Sequence, residues 1–179
     1  MQLDKAIETR RSVKNFTSKK PDWRKIVEAI NSARYAPIAG GNFTSKFIII
    51  DNPKHIQELT KSCQQDFVGQ AQYVVVVCSD PTRTVNLFGK DGKNYVKQQV
   101  GSAIQNFLLK INDQNLGACW VGYFDENSIK RILKIPGKID VEAIIPIGYA
   151  EKSQPIRRTK IDIDNVLYFD KYGQKKMKE

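Results

Sequence analysis

At 179 residues the chain suits one domain, long enough to bury a core and short for two. Its usage, 41% hydrophobic and 27% charged, is ordinary for a globular protein and argues against disorder, and no apolar run approaches the roughly 20 residues of a membrane helix. Lys and Arg number 29 against 19 acids, a net charge of +10, but the excess is scattered and lacks the aromatic interleaving or zinc-finger spacing of nucleic-acid modules.

The opening Met1-Gln2-Leu3-Asp4-Lys5 has no apolar signal-peptide core. Cys63, Cys78 and Cys119 are three, widely spaced, and read as buried free thiols in a reducing compartment. The expectation is a cytoplasmic protein without a membrane segment.

Leu3, Ala6 and Ile7 recur at helical spacing, so residues 1–9 read as a short helix. It delivers Arg10-Arg11-Ser12-Val13-Lys14-Asn15-Phe16, in which an extended backbone projects Arg10, Ser12 and Lys14 from one face and Arg11 and Val13 from the other. Two cations and a hydroxyl on one face suit a phosphorylated ligand, and a solvated basic turn is the plainer alternative. Residues 21–34 read as a second helix with a stripe of Trp23, Ile26, Val27 and Ile30. Phe47 to Ile50 reads as a buried strand, 53–63 as a helix with Ile56, Leu59 and Cys63 on one side, and Tyr73 to Cys78 as the strongest strand.

Thr82 to Asn94 reads as a polar loop around Gly89 and Gly92. Tyr95 to Asn112 is a long helix, apolar over so wide an arc that both a sheet and a second subunit should cover it. Residues 117–124 are expected as strand or tight loop, 128–133 as a short helix and 141–149 as a strand. From Glu151 the chain turns polar with isolated anchors such as Ile161, Leu167 and Phe169, an extension expected to lie along another surface.

His55 is the only histidine, so a His-rich metal site is excluded and a His-based triad would rest on one residue in a helix. Neither a dinucleotide-binding glycine fingerprint nor a Walker loop is present. Clustered phosphate donors without catalytic histidine or metal ligands fit an enzyme whose chemistry resides in a cofactor.

Five landmarks in order resemble the nitroreductase family of flavin mononucleotide (FMN) enzymes. They are Arg10 to Phe16, Ala36-Pro37-Ile38-Ala39-Gly40, Asn115-Leu116-Gly117-Ala118-Cys119-Trp120-Val121-Gly122, Pro146-Ile147-Gly148-Tyr149, and the basic pair Arg157-Arg158. The resemblance implies an α+β fold in one domain over 1–179, with a mixed central sheet of four or five strands flanked by helices. It implies a homodimer with the long helix at the interface, and 151–179 packed on the partner.

It implies FMN as cofactor, NAD(P)H as hydride donor and a small-molecule acceptor such as a nitroaromatic or quinone, with no catalytic side chain beyond the flavin. Arg10, Arg11 and Ser12 would hold the phosphate and ribityl side, and Lys14 the pyrimidine edge. Gln65 would set its amide against the ring, Val121 and Gly122 would face N5, and Arg157 and Arg158 would close on the phosphate. Ile38 and Ala39 would arrive from the second subunit. Where family members carry Asn-x-Gln-Pro-Trp, this chain has Gly41-Asn42-Phe43-Thr44-Ser45. A specialised flavoenzyme of the same fold (flavin fragmentation, dehalogenation, heterocycle oxidation) and a non-catalytic basic nucleotide- or nucleic-acid-binding module remain the alternatives.

Overall fold

Seven consecutive buried residues, Tyr73–Ser79, form the central strand β2 of a four-stranded sheet in the computed structural model, which describes residues 2–151 and 161–177. Four of the seven are valines, whose branched side chains favour the pleated backbone. On one side β2 pairs antiparallel with β1, Ser45–Ile50, placing Ser45 opposite Ser79 and Ile50 opposite Val74. On the other it pairs antiparallel with β4, Asp140–Gly148, with a register shift between Val77 and Cys78. The two-residue β3, Gly117–Ala118, adds to β4, so the order is β1-β2-β4-β3.

The expected mixed sheet is therefore corrected. All named strands run antiparallel, and among the described residues a parallel component enters only through the isolated bridge of Ser12 to Ala118. A continuous apolar run reports that both faces of a strand are covered and is silent about its direction.

Those faces are covered by different helices. Val75, Val77, Ala143, Ile145 and Ile147 meet α2, Trp23–Ala33, and α5, Gly92–Asp113, through Ile26, Ala29, Ala103 and Phe107. Val74, Val76 and Ile144 meet α3, Pro53–Cys63, and α6, Glu126–Leu133, through Ile56, Leu59 and Ile129. Each of these large side chains stabilises the fold by about 1.5–3 kcal/mol when removed from water.

Helix α2 starts at Trp23, after Pro21, because the Asp22 carboxylate caps it by accepting the Arg24 N–H at 3.0 Å. Its expected stripe divides: Ile26 is fully buried, while Trp23 and Val27 are 50% and 43% exposed.

The polar loop expected over 82–94 is instead helical. Asp80 accepts the Thr82 N–H at 3.1 Å and the Thr82 hydroxyl at 2.6 Å, which starts α4, Thr82–Phe88. A 3₁₀ turn over Gly89–Asp91 leads straight into α5. Gly92 explains the tight join, since a Cβ there would lie 2.6 Å from the Val85 Cα. Of the two glycines that read as loop punctuation, Gly92 is a packing device, while Gly89 takes a positive φ of 57° at the turn with open space around it.

Candidate functional site

Helix α1, Leu3–Thr9, is short and polar, and tertiary bonds hold its end. The Asn112 amide in the last turn of α5 donates to the Ala6 carbonyl at 3.0 Å and to the Thr9 hydroxyl at 2.9 Å. Arg10 follows in extended backbone and ends the helix.

The chain then runs along the sheet edge. Val13 N–H donates to the Ala118 carbonyl at 2.9 Å, Thr17 N–H to Tyr149 at 2.8 Å, and Glu151 N–H to Asn15 at 3.2 Å. Ser12 and Lys14 are exposed on either side of buried Val13, the alternation an extended segment requires, and the pattern breaks after Lys14, where Phe16 is buried as well. Two glycines admit this segment: a Cβ on Gly117 would approach Val13 to 2.8 Å, and one on Gly148 would approach Phe16 to 3.0 Å.

Arg10 and Arg11 are half-buried and line a cleft of about 360 Å³ between the end of α1, the end of α5 and β3. Asn112, Asn115 and Ala150 share its wall. Lys14 Nζ stands 5.2 Å from the centre of the Phe67 ring. Phe67 belongs to the 3₁₀ turn Asp66–Gln70, and Gln65 is the residue that starts this turn, so Lys14 and Gln65 converge on one turn.

Cys119 lies behind Ser12. Burial pushes its thiol upward in pKa, while Lys14, the hydrogen-bonding Ser12 hydroxyl and Arg10 pull in the opposite direction. All three cysteines are free and buried, as expected.

The segment after Cys119 separates two residues that the resemblance had paired. Val121 is buried and exchanges both backbone hydrogen bonds with Ile144, at 2.9 and 3.0 Å. Its N–H is therefore committed to the sheet, and the expectation that both amides face a ligand narrows to Gly122. Gly122 is exposed, and a Cβ built on it meets nothing within 4 Å. Trp120 and Tyr123 flank this open position at 41% and 70% exposure.

Ile38 and Ala39 do not join this group within the subunit. They precede Gly40 and Gly41, whose φ values of 58° and 71° are left-handed, and a Cβ on Gly40 would run into Leu87 and Phe88. Phe88 in turn packs edge-on against Tyr95 at 4.9 Å, so this loop sits at the start of α5. Arg157 and Arg158 lie outside the described residues. Sequence reasoning missed Asn112 and Phe67, which position Arg10 and Lys14 across long sequence separations without a local signal. Among the described residues no group of acidic, histidine or cysteine side chains could hold a metal ion, and no helix is long and apolar enough to cross a membrane.

Comparison with known proteins covers the same residues. The Nitroreductase family signature matches residues 7–68 and 57–149. A protein of Methanothermobacter thermautotrophicus, named as a candidate NADH dehydrogenase/NAD(P)H nitroreductase, is 25% identical over 171 residues, covering 93% of this chain and 86% of its own. The crystal structure of a nitroreductase family protein from Clostridium novyi superposes with a TM-score of 0.79 at 27% identity, over 97% of this chain and 96% of that one. An FMN-dependent nitroreductase from Clostridium difficile shares the fold at TM-score 0.79 and 20% identity, over 93% of this chain and 98% of that one. Matched over most of its length in sequence and in fold, the chain belongs to the nitroreductase family.

Proposed function

We propose that the protein is an FMN-dependent NAD(P)H oxidoreductase of the nitroreductase type, working as a homodimer with two sites at the interface. The observation that carries this reading is the edge segment 10–14, which lays two arginines over a cleft and leads Ser12 and Lys14 past Cys119 toward the turn that Gln65 starts. FMN held by these residues would supply the hydride-transfer chemistry that links NAD(P)H to a nitroaromatic, quinone or similar acceptor in ping-pong order.

The residues fit that group. Arg10 and Arg11 supply guanidinium forks for a phosphate, and Ser12 supplies a hydroxyl beside them. Lys14 adds a cation at the ring's pyrimidine edge, and the Gln65 amide can both donate and accept there. Gly122 leaves its backbone N–H open to close approach, since no Cβ stands over it. Arg157 and Arg158 are assigned by resemblance to the outer side of the phosphate.

Helix geometry supports the dimer. Helix α5 has 22 residues and is about 33 Å long at 1.5 Å per residue. Ala6 and Thr9, just before Arg10, are tied to its last turn, and Ile38 and Ala39 sit near its first. One subunit cannot bring these together, whereas a two-fold axis near the middle of α5 places each subunit's loop beside its partner's Arg10. Exposed Leu3, Ile7, Trp23, Val27 and Tyr35 on the helices and loop around α5 are the surface such a partner would cover.

Titration of the purified protein with FMN tests the reading. Stoichiometric binding with a yellow product, followed by bleaching with NADH or NADPH under nitrogen, is expected. A protein that binds no FMN would overturn it.

A further inference from the structure

A second cleft lies outside the residues assigned so far. It measures about 370 Å³ and is lined by Gly41, Asn42, Phe43, Thr44, Lys46, Asp80 and Arg83. Lys46 is the second residue of β1, and Arg83 sits in the first turn of α4, so two separate elements bring cations to one hollow. Thr44 is buried at 4% exposure, and its hydroxyl has no hydrogen-bond partner among the described residues.

The cleft holds one carboxylate, and that group is already engaged. Asp80 accepts from the Thr82 N–H and hydroxyl and lies 3.9 Å from Lys138. These hydrogen bonds, with Lys138 and Lys46, hold its pKa below the usual carboxylate value. Lys46 and Arg83 thus share the cleft with a single carboxylate, and the net charge of its lining is positive.

We propose that Lys46 and Arg83 form a subsite for a phosphate monoester, and that its occupant is the 2′-phosphate on the adenosine of NADPH. The cleft begins at Gly41 and Asn42, directly after the Ile38–Ala39 loop. In the dimer of the preceding section this loop reaches the partner's flavin, and the subsite rests on that reading. A dinucleotide with its nicotinamide on the flavin extends past the loop, where an arginine fork and a lysine meet its terminal dianion. The departure from the family pattern at Gly41 to Ser45 is the same stretch that shapes this cleft. Each subunit would therefore set donor preference at its partner's site.

Calorimetry of the FMN-loaded protein with 2′,5′-ADP, 5′-AMP and inorganic phosphate tests the subsite without catalysis. Steady-state kinetics with NADPH and NADH test it in turnover. The expected result is that 2′,5′-ADP binds at least about tenfold tighter than 5′-AMP, and that R83A and K46A each erase about tenfold of that preference and of the NADPH-to-NADH ratio in kcat/KM.

K61A, on α3, serves as the charge control and leaves the preference in place. Equal binding of 2′,5′-ADP and 5′-AMP, with no binding of inorganic phosphate that R83A removes, overturns the subsite. Inorganic phosphate binding that R83A removes, with no advantage for 2′,5′-ADP, overturns the NADPH assignment in favour of free phosphate. If NADH and NADPH reduce the flavin equally well, the subsite fails and the oxidoreductase reading stands. If neither reduces it, both fail.

Discussion

Lys14 and Arg10 are four residues apart, and their environments call for different work. Arg10 lines a cleft suited to a phosphate, while Lys14 stands over Phe67 at the exposed sheet edge. A cation at the pyrimidine edge interacts more strongly with a negatively charged reduced ring than with the neutral oxidised one. Lys14→Ala should therefore lower the midpoint potential of bound FMN and slow its reduction in stopped flow while FMN is retained. Arg10→Ala should instead weaken FMN binding about tenfold or more through lost charge-assisted hydrogen bonds, read by fluorescence titration. An unchanged potential in Lys14→Ala would return that residue to ordinary surface charge.

The thiols give a separate measurement. Burial raises Cys63 and Cys78 to about 11, so both stay neutral at physiological pH. Alkylation of the native protein at pH 8 should label them only slowly, and unfolding should expose them at once.

Among elements, the edge segment 12–17 and β3 depend on each other through one small residue. Gly117→Ala places a methyl 2.8 Å from Val13, and the backbone must yield on one side. A loss of about 1–3 kcal/mol in denaturant unfolding, with weaker FMN retention, is expected, because the displaced strand carries Ser12 and Lys14.

Helix α6 has a pH-dependent attachment. Glu126 bonds Lys130 at 2.8 Å and accepts the Val141 N–H at 3.1 Å, which joins the helix to the start of β4. Burial alone would raise its pKa, but the Lys130 and Val141 hydrogen bonds prevail and the folded value is lowered. A lowered carboxylate stabilises the fold fully above its unfolded pKa of about 4.3 and loses that contribution as pH falls through the folded value. The thermal midpoint should therefore drop on acidification below about pH 4, and Glu126→Gln should drop less steeply over the same range.

On the scale of the whole molecule, the proposed dimer is testable at α5. Gly101 lies near the helix midpoint, and a Cβ there meets nothing within 4 Å in the subunit. Gly101→Lys should leave the isolated fold intact, or raise helix stability by up to about 1 kcal/mol, because glycine is a poor helix former. Near a two-fold axis it would meet its own copy. Light scattering should show the parent chain as a dimer and Gly101→Lys as a monomer that no longer retains FMN. A stable, FMN-loaded monomer of the parent chain would overturn the shared-site arrangement.

Local chemistry made much of the chain legible without coordinates. The valine run of β2, the apolar spacing of α3, and the alternation of Ser12, Val13 and Lys14 each depend on neighbours a few residues away, and each appears where the pattern puts it. The family landmarks likewise sit in short segments that can be read one at a time.

What required tertiary structure depends on distant partners. The direction of the strands, the helical nature of Thr82–Phe88 and the commitment of Val121 to Ile144 are set by pairing and close packing between segments. So is the separation of Ile38 from Arg10 by the length of α5, which no local pattern encodes. Periodicity reports which side of an element meets apolar surroundings. Only the folded chain shows which element supplies them, and that decides which cations can share one ligand.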